Sequence, residues 1–261
     1  MTKKFEYKTK PFEHQREALK KGAKEKNFAY FMEMGVGKTK VAIDNAAYLN
    51  TINEINTVIV IAPNSVYRNW EKEITVHCSV EHTISIHKEH DKFDYQHEKL
   101  NFFLINVEAL SHSSGVQTLE KIIKNTKDKL MMIIDESTTI KNKGAKRTKN
   151  LIKLGLDAKY KRILTGSPVT KSPLDLYSQC AFLDKSLLGF TSFLTFRNRY
   201  AVMRLIDMGG RAIEIPQYYT NLDELENKLK TFSFRVKKED CLDLPEKIYQ
   251  RRSLHLGKEQ Q

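Results

Sequence analysis

The chain has 261 residues, 40% of them apolar and 29% charged, which is enough apolar side chain for a real core in one large domain or two small ones. Its formal net charge of +12 favours an anionic partner, nucleic acid being the common one, although a lysine-rich solvated surface explains the same excess equally well. No apolar run approaches the roughly 20 residues of a membrane span, no signal-peptide stretch opens the chain, and Cys78, Cys180 and Cys241 lie too far apart for a disulfide or zinc framework; membrane and disulfide-rich secreted classes are set aside and a reducing, cytoplasmic compartment is expected.

Residues 1 to 10 are polar and basic and read as extended. Pro11-Phe12-Glu13-His14-Gln15 opens a helix that runs to about Lys24. The Gln15 amide can both donate to and accept from an adenine edge, with Phe12 near the base, but spacing alone favours an ordinary surface glutamine. Phe28 to Met32 is a short apolar strand leading into Glu33-Met34-Gly35-Val36-Gly37-Lys38-Thr39, and a helix leaves it with Val41, Ala42, Ala46 and Leu49. Strand, glycine turn, Lys-Thr, helix is the layout of a phosphate-binding loop. Gly35 and Gly37 let backbone N–H groups close on phosphate oxygens, with Val36 between them, and the helix start points its positive end at the anion. Lys38 reaches the β- and γ-phosphates and the Thr39 hydroxyl ligates Mg. The full motif has a further glycine where this chain has Met32.

Thr57–Ala62 is a nearly continuous apolar run, as in a strand buried on both faces; Pro63-Asn64-Ser65 ends it, and a helix follows over Val66–Ile74, carrying Arg68 and Trp70. Thr83–Ile86 is a weaker strand and Phe102–Val107 a stronger one, with a helix around Leu119–Ile123 after it. His77, Cys78, His82, His87 and His90 match no zinc spacing and read as a polar connecting stretch. Leu130–Ile134, the most apolar strand, runs into Asp135-Glu136-Ser137-Thr138. Acidic residues at the carboxyl end of a buried strand stand where open α/β sheets bind ligands. Asp135 is placed to hold Mg, and Glu136 to orient and deprotonate an attacking water.

Lys141 to Lys149 holds five basic residues in nine, among them Lys141, Lys143 and Lys146, and either tracks a phosphate backbone or forms a solvated helix face. Arg162–Leu164 is a short strand ending in Thr165-Gly166-Ser167-Pro168. The alternation of strands and helices predicts an α/β fold with a mainly parallel sheet and helices on both faces. Near the C-terminus, Leu176–Leu188 reads as helix, Tyr200–Asp207 and Arg211–Ile215 as a β-hairpin turning at Met208-Gly209-Gly210, Leu222–Leu229 as a short helix, and Phe232 to Arg235 as the approach to a charged end.

In their order these motifs resemble the first RecA-like lobe of superfamily 2 helicase-like ATPases, specifically the Swi/Snf-type group and its phage relatives. Phe12 to Gln15 is similar to the adenine-reading glutamine motif, Met34 to Thr39 to motif I, Val60 to Trp70 to motif Ia, Asp135-Glu136 with Ile140-Lys141-Asn142 to motif II and its basic extension, and Leu164 to Pro168 to motif III; Arg235 to Pro245 resembles the segment leading to a second lobe. The resemblance implies a RecA-like P-loop lobe over residues 1–235, with a hairpin insertion at about 200–216 and a linker at 236–261 toward a second RecA-like lobe, supplied in cis or in trans. It implies ATP and Mg as cofactors, DNA-dependent ATP hydrolysis or translocation on duplex DNA without sequence preference, Thr165 and Ser167 as coupling residues, and a nucleic-acid path along Asn64–Trp70 (Asn64 and Arg68 above all), Asn106–Glu108 and Lys141–Lys149. For a phage-encoded chain the compartment is the host cytoplasm.

Two departures stand out. The family usually ends motif II in Ala-His, and the histidine is thought to couple motif II to motif III; here Ser137 and Thr138 stand there, so that coupling is open or passes to Thr138. Nothing after Pro245 matches motifs IV to VI, so the chain reads as an excised N-terminal lobe or half of a split motor. Two other readings compete: an ATP-responsive nucleic-acid clamp without turnover, and a P-loop enzyme acting on a small molecule, such as a kinase.

Overall fold

The structure, a computed structural model, describes residues 4–88, 93–207, 209 and 212–241. In chain order its regular elements are α1 (Glu13–Gly22), β1 (Asn27–Met32), α2 (Lys38–Thr51), β2 (Thr57–Ala62), α3 (Tyr67–His77), β3 (His82–Ile86), β4 (Leu100–Asn106), α4 (Ser113–Thr126), β5 (Leu130–Asp135), α5 (Lys146–Leu154), β6 (Tyr160–Leu164), α6 (Leu176–Leu183), α7 (Phe193–Tyr200), β7 (Ala201–Asp207), β8 (Ala212–Tyr219), α8 (Leu222–Thr231) and β9 (Ser233–Val236).

Seven strands form one parallel sheet in the order β3-β4-β2-β5-β6-β1-β9. Successive side chains along a strand point to opposite faces, so an uninterrupted apolar run needs a helical layer on each side. Tyr30, Val58, Val60, Met131 and Ile133 pack on one face against Val41 and Leu49 of α2 and Trp70 and Ile74 of α3. Ala29, Ile59, Ile61, Met132, Ile134 and Ile163 pack on the other against Leu119 and Ile123 of α4, Leu151 of α5, Cys180 of α6 and Phe196 of α7. Strands β7 and β8 make a separate antiparallel hairpin with a register shift between Val202 and Met203. This is the expected RecA-like α/β layout, parallel sheet and hairpin included.

Four local expectations change. The helix expected to reach Leu188 ends at Leu183, because the Asp184 carboxylate accepts from both the N–H and the hydroxyl of Ser186 at 2.7 Å and turns the chain. The strand expected to reach Val107 stops at Asn106, whose side chain accepts from Ala109 N–H at 2.8 Å and bends the backbone into a 3-10 turn. Helix α7, set by Ser192 accepting from Thr195 N–H at 3.2 Å, was not expected. Phe232 to Arg235, read as an approach to a charged end, lies mostly in β9, the sheet's edge strand beside β1. The hairpin's turn residues Met208 and Gly210, with Arg211, lie outside the described residues, as do His90 and positions 242–261, most of the expected linker.

Candidate functional site

All seven strands of the sheet run the same way, so their carboxyl ends share one edge. The ends of β1, β5 and β6 therefore bring Glu33 to Thr39, Asp135 to Ser137 and Thr165 to Pro168 together.

The glycine turn is built for close approach. Gly35 and Gly37 have φ of +86° and +82°, a region that L side chains rarely adopt. A Cβ on Gly37 would lie 2.2 Å from Gln15 Nε2. That amide and the neighbouring His14 brace the turn from below: His14 Nε2 and Gln15 Nε2 lie 2.8 Å and 3.1 Å from the Val36 carbonyl oxygen and donate to it. Gln15 Oε1 accepts from Phe12 N–H at 3.0 Å. Gln15 is thus a buried strut of the loop rather than a surface residue, with one amide hydrogen and one lone pair not used by these two bonds. Phe12 is exposed and stacked on His14. On the far side, Gly166 sits against the backbone of Glu33 and Met34, where a Cβ would have only 3.2 Å. Met32, in place of the motif's first glycine, is the fully buried end of β1.

Beside the turn, Lys38 Nζ pairs with Glu136 Oε1 at 2.8 Å. Thr165 Oγ1 donates to Glu136 Oε2 at 3.4 Å and accepts from Ser167 N–H at 3.2 Å. Glu136 holds φ of +47°, an uncommon backbone for a non-glycine residue and one that clusters at functional sites. Asp135 is buried, its Oδ2 accepting from Trp70 Nε1 at 2.9 Å and its Oδ1 from Glu136 N–H at 2.9 Å. Burial pushes its carboxyl above the ordinary aspartate range, against the pull of the Trp70 N–H and the Lys38 ammonium. Thr39 lies in the first turn of α2, half-buried beside Lys38.

Ser137 turns away from this cluster and donates from Oγ to Gln179 Oε1 at 2.6 Å. Gln179 and Trp70 are the two residues the sequence reading did not assign here. The signal available for the first was a Ser-Gln pair inside the otherwise apolar α6. For the second it was the Trp70–Ile74 spacing, which marks a buried face but not its partner.

The expected nucleic-acid residues divide. Asn64 and Arg68 are exposed at the same edge of the sheet, and Asn64 Oδ1 accepts from Asn106 Nδ2 at 3.4 Å. Trp70, at the end of that stretch, is 1% exposed and faces Asp135, so it leaves the proposed path. Lys143 and Lys146 are exposed, with Lys143 Nζ 4.7 Å from the Phe193 ring centre. Lys141 is half-buried and bonded to Thr170 Oγ1 at 2.5 Å. In the histidine-rich stretch, Thr9 Oγ1 and His77 Nδ1 are 2.6 Å apart, and burial lifts the Cys78 thiol to about 11. Among the described residues no three His, Cys, Asp or Glu side chains gather as for a metal ion, and no helix is long and apolar enough to cross a membrane.

Fold and site together define a RecA-like P-loop domain. The chain belongs to the SNF2-related domain family, which matches it over residues 19–261. It is 29% identical over 218 residues to the SWI/SNF-related matrix-associated actin-dependent regulator of chromatin subfamily A-like protein 1 homolog of Caenorhabditis elegans, covering 82% of this chain and 29% of that protein. It is 28% identical over 226 residues to the DNA annealing helicase and endonuclease ZRANB3 of Bos taurus, covering 84% of this chain and 20% of that protein. The chain thus spans less than a third of either relative. The Sulfolobus solfataricus SWI2/SNF2 ATPase core, solved in complex with dsDNA, shares the fold with a TM-score of 0.70 and 23% identity, over 93% of this chain and 48% of that one.

Proposed function

We propose that this chain is the ATP-binding lobe of a DNA-dependent ATPase or translocase, hydrolysing ATP with Mg when a second RecA-like lobe completes it. The lobe spans residues 1–235, and 236–261 leads toward its partner. The observation that carries this reading is the Lys38–Glu136 ion pair of 2.8 Å beside a glycine turn with two left-handed glycines.

A terminal phosphate entering the turn meets the backbone N–H groups of Gly35 to Gly37, the start of α2, and the Lys38 ammonium. Phosphate takes Lys38 from Glu136, and the released carboxylate orients a water and accepts its proton. Thr165 holds that carboxylate's second oxygen, and the Ser167 N–H, donating to the Thr165 hydroxyl, ties it to the loop after β6. Phe12, stacked on His14, and the free valences of Gln15 face the adenine. Thr39 and Asp135 offer a hydroxyl and a carboxylate, the hard-oxygen donors that suit Mg; each Asp135 oxygen accepts only one hydrogen bond and keeps a lone pair for it. Held there, Mg would supply a hard cation that neutralises the charge of the terminal phosphates. Exposed Asn64, Arg68, Lys143 and Lys146, with Lys141 behind them, form the proposed track for duplex DNA, read through its phosphates and so without sequence preference.

The lobe alone is expected to bind nucleotide and turn it over poorly, since an arginine supplied across a lobe interface is worth roughly 10³–10⁵ in rate in P-loop enzymes. The test is DNA-stimulated ATP hydrolysis by the full-length protein and its Glu136→Gln variant. The variant should keep nucleotide affinity and lose turnover. Hydrolysis at the parent rate would remove Glu136 as the base.

A further inference from the structure

Motif II in this chain lacks the histidine through which the family is thought to reach motif III, and the direct contact across the site, Thr165 to Glu136, is long at 3.4 Å and only partly buried. A shorter, buried route runs behind it. Ser137 follows Glu136 immediately and is fully buried; its hydroxyl donates to Gln179 Oε1 at 2.6 Å. Gln179 is also fully buried, and its amide nitrogen donates to the Pro168 carbonyl at 2.8 Å and the Asp175 carbonyl at 3.0 Å. Both amide hydrogens and the amide oxygen are therefore used. The preceding residue, Ser178, donates its hydroxyl to the Lys141 carbonyl at 3.1 Å. One turn of α6 thus joins the segment carrying Glu136, the loop closed by Pro168, and the first residue of the basic stretch Lys141–Lys149.

We propose that Ser137 and Gln179 form a positioning relay that couples the phosphate site to the nucleic-acid stretch, replacing the absent histidine. The relay rests on the reading of the site as an ATP site beside a DNA track. Glu136 supplies the movable end: its left-handed backbone is held while its carboxylate is paired with Lys38, and loss of that partner to phosphate releases it. Ser137 is the next residue, so any change in the Glu136 backbone moves its hydroxyl. A buried amide whose oxygen and both hydrogens are bonded passes that displacement to Pro168 and α6 rather than losing it to water. Through Ser178 the same helix moves the Lys141 backbone. Coupling carried this way is reciprocal, so nucleotide changes DNA affinity by the factor by which DNA changes nucleotide affinity.

The test measures that factor in the 261-residue chain, without turnover. A fluorescent DNA duplex is titrated by anisotropy with and without saturating Mg and a slowly hydrolysed ATP analogue. The parent should show a change in DNA affinity of at least about fivefold between the two states. Ser137→Ala and Gln179→Leu should each bind nucleotide alone and DNA alone as the parent does, yet bring the factor close to one, and the double variant should do no more than either. A purely structural role would lower thermal stability or both separate affinities and leave the ratio intact. A retained factor in either variant overturns the relay, as does a parent that binds both ligands without coupling. A parent that fails to bind the analogue or the duplex overturns the functional reading as well, which is a separate and recognisable result. Should Gln179→Leu not fold, Ser137→Ala, which removes one oxygen, carries the test.

Discussion

The indole N–H of Trp70 donates to Oδ2 of Asp135 at 2.9 Å, within the buried interior. Trp70 lies on α3, whose first turn carries Arg68 and follows Asn64. The carboxylate proposed to hold Mg and the helix proposed to face DNA are therefore fastened directly to each other. Burial disfavours the charged Asp135, and the Trp70 N–H is one of the groups that offsets it.

Trp70→Phe keeps an aromatic ring and deletes the donor, leaving Asp135 Oδ2 buried without its partner. The expected cost is about 1–3 kcal/mol of stability, the penalty for an unsatisfied buried polar group. Denaturant unfolding followed by circular dichroism reads it, since Trp70 is the chain's single tryptophan. Affinity for Mg-ATP should fall as well. An unchanged midpoint together with unchanged affinity would show that this hydrogen bond positions nothing.

Much of this site is local and was legible for that reason. Strands β2 and β5 are continuous apolar runs bounded by Pro63 and Asp135, and the Gly35-Val36-Gly37-Lys38-Thr39 turn carries its chemistry in consecutive residues. What the sequence did not reveal is pairing at a distance. Trp70 and Asp135 are 65 residues apart, and Ser137 and Gln179 are 42 apart. Burial of Trp70 follows from its helical spacing with Ile74, but the choice of Asp135 as its acceptor follows only from the sheet order that sets β5 next to β2. Strand β9 escaped for a related reason: its four residues carry too little pattern, and its pairing with β1 makes it a strand.

The base of the hairpin depends on Glu224. Its carboxylate accepts from the Arg199 guanidinium, from Lys228 Nζ at 3.0 Å and from Tyr200 OH at 2.9 Å, and these partners hold it down to about 2 from an ordinary value of 4.5. A folded value below the unfolded one means the unfolded chain binds more protons in between, so stability rises with pH there. The contribution is whole above about 4.5 and is lost as pH falls toward 2. Glu224→Gln should accordingly melt lower than the parent at neutral pH, and the gap should close as pH falls through that window. A gap independent of pH would separate the clamp from the charge of Glu224.

The basic stretch makes an uneven prediction. Lys143 and Lys146 are exposed, whereas Lys141 is bonded to Thr170 and lies 3.9 Å from Asp175. Each phosphate neutralised on duplex DNA steepens the log–log salt dependence of binding by about 0.9. Lys143→Ala with Lys146→Ala should therefore flatten the slope by up to about 2 units, and adding Lys141→Ala should change it little further. Fluorescence anisotropy across a salt series on one duplex measures all three. An unchanged slope in the double variant would make the stretch a solvated face and remove it from the DNA path.

The most direct measurement of the central claim is calorimetric titration of Mg-ATP into this chain and into its Lys38→Ala variant. Lys38 is the cation that pairs with Glu136 at 2.8 Å and the side chain proposed to take a phosphate in exchange. Charge-assisted contacts of this kind are worth about 1.5–3 kcal/mol, or roughly tenfold and more in affinity. The parent should bind Mg-ATP at one site, and the variant at least about tenfold more weakly. A parent that does not bind Mg-ATP, or a variant that binds it equally well, would contradict the account.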